Sequence, residues 1–288
     1  MSLLETVSVT RRFGSLTAVN DVSMAVDVGE VVGLIGANGS GKTTLIRMAL
    51  GVLPPSEGSV SLFGQPPSRA ARARVGYVPQ SLGLYDDLTV GENLSFAARA
   101  FGRRADLGAL DPELRSASST LVRDLSLGLK RRAAFAQALG HDPELLVLDE
   151  PTSGVEPLAR ARLWETIRAA AERGIGVLAT THSMSEAAEC DWLIVLVAGR
   201  IAASGTAEAI IGDMRTVVVD AANWERAFTA LDAAHLPLAI VGRSIRLPDG
   251  DPAAARNVLE RAGVEARIEM APASFDEAFV TIARRVAV

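Results

Sequence analysis

Short, largely apolar runs alternate with stretches of helical periodicity along most of the chain. The apolar runs predict buried parallel strands at residues 31–35, 75–79, 145–148, 176–180 and 193–198. The helical stretches lie between them, at residues 42–50, 90–101, 130–139 and 159–173. Because strands and helices alternate, we expect an α/β fold in which helices cover a parallel sheet. Two further stretches of β character, residues 3–13 and 19–26, precede this pattern.

Two regions depart from the alternation. Between residues 80 and 125 the strand pattern disappears, which predicts a helical insertion within a first domain at 1–213, the helical subdomain covering about 81–135. Beyond residue 212 the order becomes strand, helix, strand, strand, helix, strand and helix. This order predicts a small α+β domain at 214–288, for which ferredoxin-like topology is one expectation. Thr89 with Glu92, and Ser274 with Glu277, fit capping boxes at helix starts.

Composition limits the possible partners. The net charge of -5 does not favour nucleic acid, since neutralising its backbone requires a basic face. The single cysteine, Cys190, excludes a disulfide within the chain. No apolar run approaches the roughly 20 residues that a membrane span needs, and residues 1–10 lack the pattern of a secretory signal. We therefore expect a chain that reaches a membrane only through a partner.

Residues 36–43 read G-A-N-G-S-G-K-T and match the phosphate-loop pattern G-x-x-x-x-G-K-[ST] in full. A predicted strand precedes the loop and a helix follows it, so backbone N–H groups would turn inward around phosphates. We expect Lys42 to reach the β- and γ-phosphates of ATP and the Thr43 hydroxyl to bind Mg²⁺. A glycine-rich turn without a ligand is the alternative. The other expected phosphate-binding residues are Gly36, Asn38, Gly39, Ser40, Gly41 and Thr44.

A second motif is the apolar run 145–148, which ends in two carboxylates. A strand end opposite a phosphate loop is where a magnesium-binding aspartate belongs, so we assign that role to Asp149. The adjacent Glu150 would then orient or deprotonate the attacking water. An apolar strand that ends in acidic residues is common, and the assignment depends on the phosphate loop.

With these motifs in order, residues 1 to about 212 resemble the ATPases of ATP-binding-cassette (ABC) transporters. Residues 125–131, L-S-L-G-L-K-R, stand where that family carries its signature. The resemblance implies a P-loop NTPase core with a mixed sheet and an antiparallel β-subdomain. It also implies a head-to-tail dimer, in which Ser126 and Gly128 of one subunit contact the γ-phosphate held by the other. By itself the segment L-S-x-G is weak evidence for the signature, because it also fits a plain helix cap.

The resemblance assigns four further residues. Gln80 matches the glutamine that links magnesium and water to the helical insertion, and His182 matches the histidine that contacts the γ-phosphate. Phe13 stands where the family stacks an aromatic ring on adenine, and Val19 is expected to flank the base. Without the resemblance, Gln80 would be a turn residue, His182 a structural histidine and Phe13 a packed strand residue.

The sequence departs from the family at three positions: Leu127 and Leu129 replace glycine and glutamine, and Glu156 replaces aspartate. We expect these changes to affect the rate of ATP hydrolysis and the tightness of the dimer. The phosphate-contacting Ser126 and Gly128 are retained. The segment 273–279, A-S-F-D-E-A-F, resembles the tail of ATPases in drug- and polymer-exporting systems. Export is therefore the expected direction.

The expected function is an ATP-hydrolysing subunit of an ABC transporter. Its partners would be a transmembrane permease subunit and a second copy of itself or a paralogous ATPase, at the cytoplasmic face of the membrane. The alternative is a soluble, non-transport cassette acting on the ribosome or DNA, which the acidic net charge disfavours. A small-molecule kinase would leave the signature, Gln80 and His182 unexplained.

Overall fold

The apolar runs become strands of one sheet in the computed structural model, which describes residues 2–287. These residues form two units, 2–204 and 205–287. The strands that begin in the first unit are β1 (Ser2–Phe13), β2 (Leu16–Asp27), β3 (Val31–Ile35), β4 (Glu57–Leu62), β5 (Val75–Val78), β6 (Leu145–Asp149), β7 (Gly176–Thr181), β8 (Trp192–Val197) and β9 (Arg200–Gly205). Its helices are α1 (Lys42–Ala49), α2 (Arg69–Arg72), α3 (Val90–Ala100), α4 (Pro112–Ser116), α5 (Leu127–Leu139) and α6 (Pro157–Glu172).

The central sheet has the order β5-β6-β7-β3-β8-β9, and the pairs among its first five strands are parallel. Strands β3, β6 and β7 are buried along their whole length, which explains why apolar residues dominate them. Asp149 at the end of β6 lies opposite Thr180, and Ile35 at the end of β3 lies opposite Thr181. The loops that follow these strands therefore emerge at one edge of the sheet.

A separate antiparallel sheet has the order β2-β1-β4. It shares one hydrophobic core with helix α1 and strand β3, built from residues such as Val9, Val22, Leu34 and Ile46. Strand β4 was not predicted from the sequence. Its residues are largely polar and mostly exposed or half-buried, so they show no apolar run, and pairing with β1 decides their conformation.

The region between β5 and β6 contains α3, α4 and α5 together with the 3₁₀ turns Leu107–Ala109 and Val122–Asp124. It has its own small core, formed by Val90, Leu94, Leu114, Val122 and Ala133. The capping box at the start of α3 is confirmed: the Thr89 hydroxyl accepts from the Glu92 amide, and the Glu92 carboxylate accepts from the Thr89 amide. A third 3₁₀ turn, Met184–Glu189, follows β7.

The second unit contains α7 (Ala207–Ile211), β10 (Arg215–Ala221), α8 (Trp224–Ala233), β11 (Ala239–Val241), β12 (Ser244–Pro248), α9 (Pro252–Arg261), β13 (Ala266–Pro272) and α10 (Phe275–Ala287). From β10 to β13 the order is β-α-β-β-α-β, with an antiparallel sheet β11-β12-β10-β13. The unit begins earlier than the expected residue 214, because α7 packs against α10 and belongs with it. Among the described residues, no helix is long and apolar enough to cross a membrane.

Candidate functional site

The phosphate loop occupies the turn between β3 and α1, and two of its glycines, Gly36 and Gly41, are required by close backbone approaches. A Cβ on Gly36 would lie 2.4 Å from the carbonyl oxygen of Leu196, and one on Gly41 would lie 2.4 Å from that of Ala18. Gly41 also has a φ of 107°, which residues with side chains rarely adopt. By contrast, Asn38 and Gly39 lie at the exposed tip of the loop.

Lys42 lies at the first position of α1 and is only 5% exposed. Its Nζ donates to the carbonyl oxygens of Gly36 (2.7 Å) and Ala37 (3.1 Å), so the ammonium folds back over the loop. Burial lowers the pKa of Lys42, against the opposing effect of Glu150 and Asp149. The buried Oγ of Ser40 has no hydrogen-bond partner.

This loop fits a phosphate group. The N–H groups of the first turn of α1, which includes Thr43 and Thr44, have no partners within the helix and favour an anion. The buried ammonium of Lys42 and the unpaired hydroxyl of Ser40 add donors beside them. A bound phosphate would satisfy these groups together, which is the chemistry expected of a nucleoside triphosphate site.

The two acidic residues at the end of β6 have different surroundings. Asp149 is 2% exposed, and its Oδ1 accepts from the Thr180 hydroxyl at 2.8 Å. Glu150 has a left-handed backbone with a φ of 52°, and its amide donates to the same hydroxyl, also at 2.8 Å. One threonine side chain therefore contacts both predicted acids.

The carboxylate of Glu150 lies between the two residues assigned from neighbouring strands. Gln80 Nε2 donates to Glu150 Oε2 at 3.3 Å, and His182 Nδ1 lies 3.6 Å from the same oxygen. These residues follow β5, β6 and β7, and the parallel register brings their loops together. The structure thus places the predicted Gln80, Glu150 and His182 in one cluster, whose charge also acts on Lys42.

Arg131, a buried residue on α5, holds the loop after β6. Its Nη1 donates to the carbonyl oxygen of Glu150 at 2.9 Å, and its Nη2 donates to that of Ser153 at 2.6 Å. Arg131 and Thr180 were not among the predicted site residues. Thr180 lies within an ordinary apolar strand pattern, and Arg131 is one of several arginines, so only the folded chain distinguishes them.

Ser126 and Gly128 lie at the beginning of α5. The Ser126 hydroxyl caps this helix by accepting from the Leu129 amide at 3.3 Å. Within residues 2–287, no hydrogen bond or ion pair joins Ser126 or Gly128 to the phosphate loop. The signature segment instead contacts the loop after β6 through the hydrogen bonds of Arg131, and Leu127 Cδ2 lies 3.4 Å from the position that a Cβ on Gly154 would take.

The two residues expected at the adenine differ in exposure. Phe13 is 46% exposed, and the guanidinium of Arg11 lies 4.7 Å from the centre of its ring. Val19 is wholly buried in the core, and its Cγ2 lies 3.3 Å from the position that a Cβ on Gly41 would take, so its side chain lies beside the phosphate loop. Strand alternation turns Val19 inward and leaves its neighbour Ala18 partly exposed. That Val19 flanks the base stays a prediction.

No group of three or more His, Cys, Asp or Glu residues among those described is arranged to hold a metal by itself. Mg²⁺ is commonly bound through one or two carboxylates together with substrate phosphates and water. The buried carboxylate of Asp149, beside the phosphate loop's lysine, suits that mode of binding. A magnesium site here would therefore be completed by the nucleotide.

A parallel sheet with a phosphate loop after one strand and two acids after another defines the class of P-loop ATPases. A family model described as "ABC transporter" matches residues 19–153, and a second model, whose description begins "AAA domain", matches 119–188. The chain is 46% identical over 215 residues to "Nod factor export ATP-binding protein I" of Burkholderia orbicola (strain AU 1054), covering 71% of each protein. The chain belongs to the ABC transporter ATP-binding family, whose members are ATPases coupled to transport.

Other relatives and solved structures are similar to this chain. "Probable multidrug ABC transporter ATP-binding protein YbhF" of Escherichia coli (strain K12) is 39% identical over 218 residues, which cover 71% of this chain and 37% of that protein. "Structure of ATP binding subunit of ABC transporter" has a TM-score of 0.66 and 32% identity, covering 73% of this chain and 92% of that one. "Structure of a bacterial Atm1-family ABC exporter with ATP bound" has a TM-score of 0.63 and 27% identity, covering 70% of this chain and 38% of that one.

Proposed function

We propose that this chain is the ATPase subunit of an exporter, in which two copies, or one copy and a paralogous ATPase, close on two ATP molecules and drive a separate membrane subunit. The observation that carries the proposal is the cluster of Gln80, Glu150 and His182 beside the buried Lys42. Export is supported by relatives whose names describe Nod factor export and multidrug transport.

In this proposal the side chains have distinct roles. Lys42 binds the β- and γ-phosphates. Its buried ammonium already lies over the loop, where it donates to the carbonyl oxygen of Gly36. Glu150 orients and deprotonates the attacking water, and His182 contacts the γ-phosphate. Thr43, Gln80 and Asp149 would hold Mg²⁺, which supplies positive charge against the phosphate oxygens. Hydroxyl, amide and carboxylate oxygens are the ligands that Mg²⁺ prefers.

The composite dimer site uses residues that lie apart within one chain. Ser126 and Gly128 at the start of α5 would contact the γ-phosphate bound by the partner subunit, since a helix N-terminus favours an anion. Phe13 would stack on adenine with the exposed part of its ring.

A groove in the helical region would receive the membrane subunit. Its volume is about 820 Å³, and its lining combines apolar residues of α3 and α5 with residues, some of them charged, from the segments that follow these helices. Gln137 at its rim donates to the carbonyl oxygen of Gly83, three residues after Gln80, so the groove adjoins the loop that contacts Glu150. We propose that a short segment of a permease binds here, which would place the chain at the cytoplasmic face of the membrane.

Co-expression with the membrane protein encoded beside this chain tests the proposal. The wild-type chain should copurify with that protein in detergent. Ala97→Arg, which places a long cation in the groove, should lose copurification while its basal ATPase remains. Ala100→Arg is the matched control, because Ala100 lies on the same helix outside the groove lining. Salt-sensitive sedimentation with ribosomes, without copurification, would instead favour a non-transport function.

A further inference from the structure

We propose that Thr180 and Arg131 are positioning residues that hold the backbone of Glu150 in the conformation from which its carboxylate faces Gln80 and His182. The inference rests on the proposed role of Glu150 as the base for hydrolysis. It assigns the orientation of that base to two side chains that do not themselves reach the nucleotide in this proposal.

The backbone of Glu150 requires an external restraint. Its φ of 52° lies in the left-handed region, which is disfavoured for a residue with a Cβ atom. Such a conformation persists where the surroundings impose it, and this often occurs at functional sites. The observed carboxylate contacts, to Gln80 at 3.3 Å and to His182 at 3.6 Å, are made from this backbone conformation.

Thr180 restrains the amino side of Glu150. Its hydroxyl is fully buried, accepts from the Glu150 amide at 2.8 Å and donates to Asp149 Oδ1 at 2.8 Å. Because Thr180 lies opposite Asp149 in the parallel register, its side chain is fixed by the sheet rather than by a loop. The same hydroxyl therefore links the Asp149 carboxylate to the Glu150 backbone.

Arg131 restrains the carbonyl side. Its guanidinium donates to Glu150 O and to Ser153 O, which brackets the loop that follows the acid. A planar fork can reach both carbonyl oxygens, whereas the single ammonium of a lysine has no such fork. With the amide held by Thr180 and the carbonyl by Arg131, both peptide groups that flank the Glu150 Cα have fixed partners.

The test compares steady-state hydrolysis and equilibrium ATP binding in the full chain. Thr180→Val keeps the shape but removes the hydroxyl, which leaves the half-buried Glu150 amide without its partner. We expect kcat to fall at least about tenfold, while the affinity for ATP changes by less than about twofold, because the phosphate loop is untouched. Thr180→Ser should restore kcat. Arg131→Lys should lower kcat in the same direction with a similarly small effect on ATP binding.

Matched controls separate this effect from general loss of structure. Thr6→Val removes an equally buried strand hydroxyl with two hydrogen bonds, to the Val22 carbonyl and from the Met24 amide, and should leave kcat unchanged. Arg132→Lys alters the arginine next to Arg131, whose partners are Asp111 and Glu113, and should also leave kcat unchanged.

Glu150→Gln measured in parallel distinguishes the two proposals. If Glu150→Gln retains the wild-type kcat, the role of Glu150 fails and the positioning inference fails with it. If Glu150→Gln is slow but Thr180→Val and Arg131→Lys hydrolyse like wild type, only the positioning inference is overturned. Adding Thr180→Val to Glu150→Gln should lower kcat little further, since positioning has no effect without the base. If the double variant instead shows the full additional loss of kcat, Thr180 has a different role.

Discussion

The side-chain amide of Gln80 donates to the carboxylate of Glu150 over 3.3 Å, although 70 positions separate the two residues in the sequence. Gln80 comes shortly after β5 and begins the path into the helical region, whereas Glu150 directly follows β6. The proposed base is therefore in direct contact with the chain segment that adjoins the groove. Movement of that segment would change the surroundings of Glu150.

Glu150→Gln should slow hydrolysis by about 10²- to 10⁴-fold and preserve ATP binding, because the amide cannot accept the proton of the attacking water. The phosphate ligands remain in place, so the variant should accumulate as an ATP-dependent dimer. Phosphate release and size-exclusion chromatography with ATP and Mg²⁺ measure the two effects. An unchanged elution profile would contradict the proposed head-to-tail dimer.

Lys42→Ala should weaken ATP binding at least about tenfold, because it removes a charged hydrogen-bond donor from the phosphate loop. The lysine's Nζ also bonds to Gly36 O and Ala37 O, so the empty loop loses part of its support. Titration with a fluorescent ATP analogue gives the affinity. Arg47→Ala, which removes an exposed cation from the same helix, should bind like wild type.

Leu127→Gly should tighten the ATP-dependent dimer. Leu127 is 41% exposed at the start of α5, beside the residues proposed to meet the partner's γ-phosphate. Removing the leucine side chain clears the surface at the start of α5 and the space beside Gly154, so the partner subunit can approach more closely. The dimer affinity is best measured by analytical ultracentrifugation in the Glu150→Gln background, where hydrolysis is suppressed. Equal or weaker dimerisation would mean that the leucine is accommodated in the interface.

The network around Glu277 predicts a pH-dependent stability of the second unit. The capping box with Ser274 is confirmed, and the Glu277 carboxylate also accepts from Arg246 and Thr216. Burial by itself would raise the pKa of Glu277, but the hydrogen bonds from Arg246, Ser274 and Thr216 and the charge of Arg246 together hold it below its ordinary value. The charged form is therefore favoured by folding.

Glu277→Gln should lower the free energy of unfolding of this unit by about 1–3 kcal/mol near neutral pH, because the network loses its charged acceptor. Because the pKa of Glu277 is lower in the folded unit, the charged carboxylate stabilises the fold at any pH above its unfolded pKa of about 4.3. The difference in free energy of unfolding between wild type and variant should therefore shrink as the pH falls below that value and through the lower pKa of the folded unit. Hydrogen exchange of the β10 and α10 amides in the full chain measures this free energy of unfolding. Glu225→Gln, an exposed first-turn acid of α8, should change little.

Elements with local signals were predictable, and elements that depend on distant pairing were not. The capping boxes at Thr89 and Ser274 follow from residues three apart, which interact within one turn. Strand β4 was missed because its polar residues form a strand only against β1. The burial of Val19 also depends on distant pairing, because the alternation of its strand is fixed by pairing with β1.

By itself the sequence determined the phosphate loop, because its glycines, Lys42 and Thr43 are contiguous and lie between a buried strand and a helix. It also supplied Asp149 and Glu150 as adjacent acids at a strand end. Only the tertiary structure decided that Gln80 and His182 meet Glu150 and that Thr180 and Arg131 hold its backbone. The reason is that parallel register and helix packing bring together residues whose separation in the chain leaves no local pattern.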